Sequence, residues 1–325
     1  MRSNTLYIII PCYNEEQVLP ITGKKFHSKL KALIGSSVIS DDSRIVFVDD
    51  GSVDRTWSII QGYVASDKHY SGISLSRNYG HQNALVAGLI ETLKYADMTI
   101  SMDCDGQDDI DVIDEMIEAY NEGSEIVYGI RSDRSKDTFF KRNSARLYYK
   151  TLSGMGVNVV ENHADFRLMS RRAVEELAKY DEVNLYLRGI IPNLGFRSSV
   201  VYYKRSEREA GETHYPLSRM MKLAIDGITS FSIKPIRLIT LTGFMFAVLS
   251  LILIIYVIVG KLSGNTVSGW TSIMSVVLMT GGLTMISNGI IGEYVGKIYM
   301  ETKHRPRYAI YHTENLGEDT GHAQK

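Results

Sequence analysis

Two carboxylates, Asp103 and Asp105, stand at i and i+2 in the stretch Ile100-Ser101-Met102-Asp103-Cys104-Asp105-Gly106-Gln107-Asp108-Asp109. An apolar run of strand length, 98–102, delivers them, and a glycine follows that lets the backbone turn away. Acid, acid and amide at positions 103, 105 and 107 make a cluster of hard oxygen ligands, the sort that hold Mg²⁺ or Mn²⁺ beside a phosphorylated substrate. A solvated acidic turn has the same composition, so the neighbours decide. Ile45-Val46-Phe47-Val48 runs into a second acidic end, Asp49-Asp50-Gly51-Ser52, with Asp54 two residues on. Alone, Asp-Asp-Gly-Ser is as readily a turn and helix cap. If both ends meet on one sheet edge, one pair can accept hydrogen bonds from a base or ribose while the other holds a cation that bridges phosphates, which reads as a nucleotide-sugar site.

The elements that must position these groups alternate. Leu6-Tyr7-Ile8-Ile9-Ile10 reads as a buried strand ending at Pro11, and Asn14 can cap a helix opened by Glu15 and Glu16. Further strands are expected near 45–48, 73–76, 98–102 and 126–130, with helical patterns near 54–65, 81–95 and 112–121 between them. Strand and helix in alternation imply an α/β fold: a mainly parallel sheet covered by helices, with ligands at the carboxyl ends of the strands. The polar residues sit at those ends.

At 325 residues the chain has room for a full catalytic domain and something smaller, and its formal net charge of −1 gives no reason to expect a nucleic-acid partner. Its two cysteines, Cys12 and Cys104, lie at the ends of apolar runs without metal spacing and suggest reduced thiols in a cytoplasmic setting. The run 6–10 is too short for a signal-peptide core. Two stretches of 23 residues, 238–260 and 270–292, contain no charged residue, and about 20 apolar residues span a bilayer. They read as transmembrane helices, with a buried helical hairpin as the alternative. Lys222, Lys234 and Arg237 precede the first and Lys297, Lys303, Arg305 and Arg307 follow the second, while the loop between carries only Lys261. By the positive-inside rule both flanks face the cytoplasm. The expected organisation is a cytoplasmic domain over 1–215, a juxtamembrane amphipathic helix over 216–235, a two-helix anchor over 236–294 and a cytoplasmic tail over 295–325.

Four segments together resemble the family 2 glycosyltransferases of GT-A fold: Pro11-Cys12-Tyr13-Asn14-Glu15, Val48-Asp49-Asp50-Gly51-Ser52-x-Asp54, Leu75-Ser76-Arg77-Asn78-Tyr79-Gly80-His81 and Met102-Asp103-Cys104-Asp105-Gly106-Gln107-Asp108. Asp165-Phe166-Arg167-Leu168-Met169 and Arg208-x-x-Gly211-Glu212 ahead of two C-terminal spans narrow the resemblance to the polyisoprenyl-phosphate (bactoprenol) glucosyltransferase type, related to dolichol-phosphate mannose synthases. The resemblance implies a Rossmann-like GT-A domain followed by an interfacial helix and two transmembrane helices. It implies inverting transfer of a hexose, glucose from UDP-glucose before GDP-mannose or a modified UDP-sugar, to a polyisoprenyl phosphate such as undecaprenyl phosphate. By the same analogy Pro11, Tyr13, Glu15 or Glu16, Asp49 and Asp50 surround the base and ribose, Asp103 lies towards ribose and sugar, and Asp105 with Gln107 ligates Mg²⁺ or Mn²⁺. The cation would stabilise the charge developing on the leaving diphosphate.

Asp165 matches the position usually assigned as catalytic base. An acceptor phosphate is largely ionised near neutrality and needs little deprotonation, so Asp165 is equally open to orienting the acceptor or touching the sugar. Phosphates demand cations, and a guanidinium fork suits them. Arg131 and Arg208 are the candidates towards the donor, and Arg142, Arg146 and Arg205 towards the acceptor phosphate. The chain departs from the family pattern at Thr213-His214-Tyr215, where His214 replaces a lysine expected on the diphosphate and brings a charge that changes near neutral pH. It departs again at Gln107-Asp108-Asp109-Ile110-Asp111, whose extra carboxylates can alter metal preference or cap the next helix. Leu217, Met220, Met221, Ala224, Ile228 and Phe231 recur at helical spacing, giving a helix that lies in the membrane interface or packs on the catalytic domain. The remaining histidines, His27, His69 and His81 among them, show no ligand spacing and are assigned no metal. The tail from about Lys303 is expected to reach a neighbouring subunit or to stay disordered, so homo-oligomerisation is left open. A catalytically silent membrane scaffold, or a lipid-carrier partner that anchors other enzymes, is the non-enzyme alternative, disfavoured because it has no need of such closely set carboxylates.

Overall fold

A strand buried on both faces needs an almost unbroken apolar run, and this chain supplies several. In the computed structural model, which describes residues 3–132, 163–183, 186–204, 234–263 and 269–317, these runs build one sheet. Its strands are β1 (Leu6–Cys12), β2 (Arg44–Asp49), β3 (Tyr70–Leu75), β4 (Met98–Ser101), β5 (Ile126–Arg131), β6 (His163–Ser170), β7 (Ser198–Tyr203) and β8 (Ile310–Glu314). Their order is β7-β5-β6-β4-β1-β2-β3-β8. β1 pairs in parallel with β2 and β4, β2 with β3, and β5 with β7, whereas β6 and β8 run antiparallel to their neighbours.

The helices between them are α1 (Leu19–Gly35), α2 (Thr56–Ser66), α3 (His81–Thr92), α4 (Ile113–Asn121), α5 (Arg171–Leu177) and α6 (Leu187–Asn193). On one face Phe26, Leu30 and Leu33 of α1 join Ile8, Ile10 and Phe47 in the core. On the other, α3 comes close because residue 88 is glycine: a Cβ there would stand 2.3 Å from Ile9 Cγ2. The mainly parallel α/β fold expected from the sequence is what forms.

Three local expectations are corrected. Asn14 does not cap a helix at Glu15 and Glu16; α1 begins at Leu19 behind Val18, with no side-chain cap. Asn14 takes φ 54° and spends its side chain on Val53 instead. Within the described residues, which end at 317, the tail after Lys303 is held: β8 pairs with β3, matching Ile73 with Thr313, and so covers what would be an open edge. Asn315 locks the return, its Nδ2 donating to the carbonyls of Lys68 and Tyr70 at 2.9 and 2.8 Å. Third, β6, β7 and β8 lie outside the strands the sequence reading placed.

The described residues form two compact units, the sheet with its helices and, separately, the helices up to His304. The second unit contains α7 (Lys234–Leu262) and α8 (Trp270–Thr302). Among the described residues one stretch, Lys234–Ile252, is long and apolar enough to cross a membrane, with mean hydropathy 1.9. The sequence predicts a second span over 270–292, which lies within α8. Leu241, Phe244, Met245, Tyr256 and Ile286 are exposed on these helices.

Candidate active site

The strand order carries a topological switch: β2 and β3 extend the sheet to one side of β1 and β4 to the other, so the carboxyl ends of β1 and β4 flank a crevice. Tyr13 and Asp103 follow those two ends. The loops after β1 and β2 are laced together. Asn14 N–H donates to Ser52 Oγ (2.9 Å), Val53 N–H to Asn14 Oδ1 (3.0 Å), Glu15 N–H to Thr56 Oγ1 (2.8 Å) and Glu16 N–H to Asp54 Oδ2 (3.2 Å). Glu16 Oε2 in turn accepts from the backbone N–H and Nε of Arg55, each at 3.2 Å. Pro11 is buried, while Tyr13 is 46% exposed and presents an aromatic ring at the rim.

Asp49 and Asp50 are both buried, and burial raises the pKa of each carboxyl. Asp49 accepts from Ser52 N–H at 3.2 Å. Asp50 accepts from Tyr79 N–H (2.7 Å) and Gly80 N–H (2.8 Å), one on each oxygen. The loop must come this close because Gly51, at φ +68°, has no Cβ: one would lie 2.4 Å from the Arg77 carbonyl carbon. Asp50 thus fixes the approach to α3 and the position of its first residue, His81.

His81, which closes the Leu75–His81 motif and has no role assigned to it from the sequence, sits at the centre of the site. Its Nε2 lies 3.6 Å from Asp103 Oδ1 and 3.4 Å from Asp165 Oδ2. Burial alone would lower its pKa, but the Asp165 hydrogen bond and the Asp103 and Asp165 charges raise it. Asp103 and Asp165 meet because β6 runs antiparallel beside β4: Ser101 is paired with Arg167, which sets the residues two further on, in opposite chain directions, side by side. Ser101 Oγ also donates to the Asp165 carbonyl at 2.5 Å.

Asp165 is gripped by cations. Arg167 Nη2 is 2.5 Å from Oδ1 and Arg188 Nη2 3.5 Å from Oδ2. Burial pushes the Asp165 carboxyl up, yet His81, Arg188 and Arg167 together hold it well below the usual carboxylate range. Arg167 itself is 1% exposed, and its Nε and Nη1 have no hydrogen-bond partner. No sequence signal marked Arg167 or Arg188 apart from the motif around the former.

Asp105 is buried and its Oδ1 accepts from Gln107 N–H at 3.1 Å, an Asx turn that Gly106 permits with φ +69°. Asp108 is buried under Tyr203, whose hydroxyl donates to Oδ1 at 2.5 Å, and Oδ2 has no partner. Burial, with the nearby Asp103 and Asp105 charges, pushes its carboxyl up to about 6. Burial likewise raises Asp103. Asp103 and Asp108, whose carboxyls resist ionisation, and the orphaned Oδ2 of Asp108 stand with Asp105 as a donor set that fits a hard divalent cation. Asp109 takes the other role left open by the sequence and caps the next turn, accepting from Asp111 N–H at 3.0 Å. Arg131, at the end of β5, lies 3.9 Å from Asp108 and 3.3 Å from the Tyr203 hydroxyl. Cys12 and Cys104 are free and buried, and burial and then Cys104 push the Cys12 thiol well up. Arg142, Arg146, Arg205, Arg208, His214 and the helix expected to begin at 216 lie outside the described residues, apart from the last two positions of that helix, which open α7.

The chain is similar over most of its length to known proteins. The 48% identity to the uncharacterized glycosyltransferase YkoT of Bacillus subtilis (strain 168) extends over 305 residues, 94% of this chain and 90% of that protein. A bactoprenol glucosyl transferase of Shigella phage SfX is 39% identical over 305 residues, 93% of this chain and 97% of the relative. Among solved structures, glucosyl-3-phosphoglycerate synthase from Mycobacterium tuberculosis matches with a TM-score of 0.44 and 15% identity, over 70% of this chain and 78% of that one. Residues 234–298 match the GtrB C-terminal hairpin. Residues 7–178, which hold both acidic strand ends and Asp165, match the family Glycosyl transferase family 2, and the chain belongs to that family.

Proposed function

We propose that the protein transfers a hexose, glucose from UDP-glucose, to a polyisoprenyl phosphate, undecaprenyl phosphate in the first place, with inversion at the anomeric carbon. The observation that carries this reading is the convergence of Asp103, Asp105, Asp165 and His81 on one sheet edge in a family 2 chain. The relatives named bactoprenol glucosyl transferase support the acceptor class.

Tyr13 and the loop after β2 would hold the base and ribose, with Asp103 towards ribose and sugar. Asp105 and Gln107 would hold Mg²⁺ or Mn²⁺, which supplies charge stabilisation for the leaving diphosphate. The acceptor phosphate attacks as an anion, so no residue has to take a proton from it. A carboxylate whose pKa is held well down by three cationic neighbours is a weak base, and Asp165 therefore orients His81, Arg167 and Arg188 around the reacting centre. Arg131 neutralises donor charge from the β5 end, together with Arg208 and His214. Arg142, Arg146 and Arg205 take the acceptor phosphate. The 216–235 helix and a two-span hairpin, 238–260 and 270–292, anchor the enzyme in the cell membrane with the catalytic domain in the cytoplasm. The lysines and arginines flanking the hairpin support that orientation.

The test uses the full chain purified in detergent with undecaprenyl phosphate, Mg²⁺ or Mn²⁺ and a panel of labelled nucleotide sugars. Lipid-linked glucose from UDP-glucose is the expected product. Transfer from GDP-mannose or a modified UDP-sugar alone would replace the donor, and transfer from none would return the chain to the scaffold reading.

A further inference from the structure

At the opposite, amino-terminal edge of the same strands lies a second cluster of ligand-type side chains. His27 projects from α1, Asp67 ends α2 and His69 leads into β3. Asp67 Oδ2 is 3.2 Å from His27 Nε2, Asp67 Oδ1 is 2.6 Å from His69 Nδ1, and one ligand atom from each residue lies within 4.8 Å of the others. Ligand atoms around a tetrahedral ion with bonds of about 2.0–2.1 Å are about 3.3 Å apart, so closure needs shifts of about an ångström.

The surroundings are those of a held ligand set. His69 Nε2 faces Asp41 Oδ1 at 3.2 Å, the carboxylate–imidazole arrangement that orients metal-bound histidines. The His27 ring is stacked on Tyr70 at 4.7 Å, and Asp67 Oδ1 accepts from His69 N–H at 2.9 Å. Yet the hydrogen bonding does not close. Lys31 Nζ lies 2.9 Å from His69 Nδ1 and 3.3 Å from Asp67 Oδ2. Towards Asp67 the Nδ1 atom must donate, and towards an ammonium it must accept; one nitrogen cannot do both. His27 Nε2 is buried and makes no hydrogen bond of sound geometry. A cation with empty orbitals where the ammonium now intrudes satisfies both imidazole lone pairs and the carboxylate at once. Lys31, 43% exposed, can return its ammonium to water.

We propose that His27, Asp67 and His69 form a structural transition-metal site, for Zn²⁺ first, with Lys31 occupying the cation position in the metal-free protein. Two imidazoles and one carboxylate select Zn²⁺ and its late first-row neighbours over Mg²⁺ and Mn²⁺. The site is separate from the carboxylate edge: Tyr70 pairs with Ile45, four residues before Asp49 pairs with Ser74, about 13 Å along the strand. Its effect is to tie α1, the end of α2 and the start of β3 together.

The test is chelator-buffered Zn²⁺ titration of the tag-free full chain at pH 7.5, with Co²⁺ absorption reporting coordination geometry and Tm read in parallel. An Asp105→Asn background removes ligation at the catalytic edge. In that background one equivalent of Zn²⁺ should still bind, give a tetrahedral Co²⁺ spectrum and raise Tm. His27→Ala should abolish binding, and Lys31→Ala, which removes a competing charge, should tighten it about tenfold or more. The gain in affinity keeps the test decisive if His27→Ala misfolds. No stoichiometric Zn²⁺ binding, or affinity unchanged in Lys31→Ala, overturns the proposal.

Discussion

Asp165→Asn is expected to cost the protein stability as well as chemistry. The substitution keeps the volume and one carbonyl oxygen but removes the charge facing Arg167, a side chain 1% exposed whose Nε and Nη1 have no other partner. Breaking a buried ion pair from one side costs about 3–5 kcal/mol, because the remaining charge is stranded in low dielectric. The new amide N–H₂ would also face Arg188 Nη2 and His81 Nε2, which stand 3.5 and 3.4 Å from Oδ2. For a domain of this size about 2–4 °C of Tm accompanies each kcal/mol, so a fall of about 6–20 °C is expected. The double variant Asp165→Asn/Arg167→Met removes the stranded charge with an apolar group of similar volume and should recover most of that Tm without recovering transfer. Thermal unfolding in detergent and glycosyl transfer are measured on the same preparations. A wild-type Tm for Asp165→Asn refutes the buried-pair argument; transfer restored in the double variant refutes any role of the Asp165 charge beyond holding Arg167. The sign with pH follows. A folded carboxyl held below its unfolded value of about 3.9 gives stability that is present above that pH and lost as pH falls through the folded value.

Three further outcomes are expected. Asp105→Asn preserves the Asx turn to Gln107 N–H, so Tm should stay within about 2 °C of wild type while transfer falls at least about 100-fold and Mg²⁺ or Mn²⁺ no longer binds at this edge. Gly51→Ala forces a Cβ to 2.4 Å from Arg77 backbone at positive φ, so denaturant unfolding should show a loss of more than about 1 kcal/mol. Asp108, with its carboxyl raised to about 6, contributes stability present below about pH 3.9 and lost as pH rises through about 6; Asp108→Asn should flatten that slope in unfolding measured from pH 4 to 7.

The parallel core and its acidic ends were legible because apolar runs of strand length must be buried and deliver whatever follows them to one edge. Asp49, Asp50, Asp103 and Asp105 could be placed that way. What failed was local conflict and distant insertion. A left-handed Asn14 looks in sequence like a helix cap, and its preference for Val53 N–H is decided by the β2 loop. β6 was obscured because Asp165 and Arg167 interrupt its apolar residues, and β8 is a short, largely polar edge strand. His81 could not be read as a site residue because its partner Asp165 comes from β6, entering antiparallel from far along the chain. His27 and His69 have no ligand spacing for the same reason: α1 brings them together, not the sequence interval.

The pairing of β8 with β3 sets an order on biosynthesis. Ile73 cannot meet Thr313 until both helices of the second unit have left the ribosome. At about 5–20 residues per second, the interval from Leu75 to Glu314 takes about 12–48 s. Throughout that interval the β3 edge is unpaired on a nascent chain whose apolar helices are still emerging. Sealing the edge therefore has to follow synthesis of both helices, and a ribosome that stops before Ile310 releases a protein without the strand that pairs with β3.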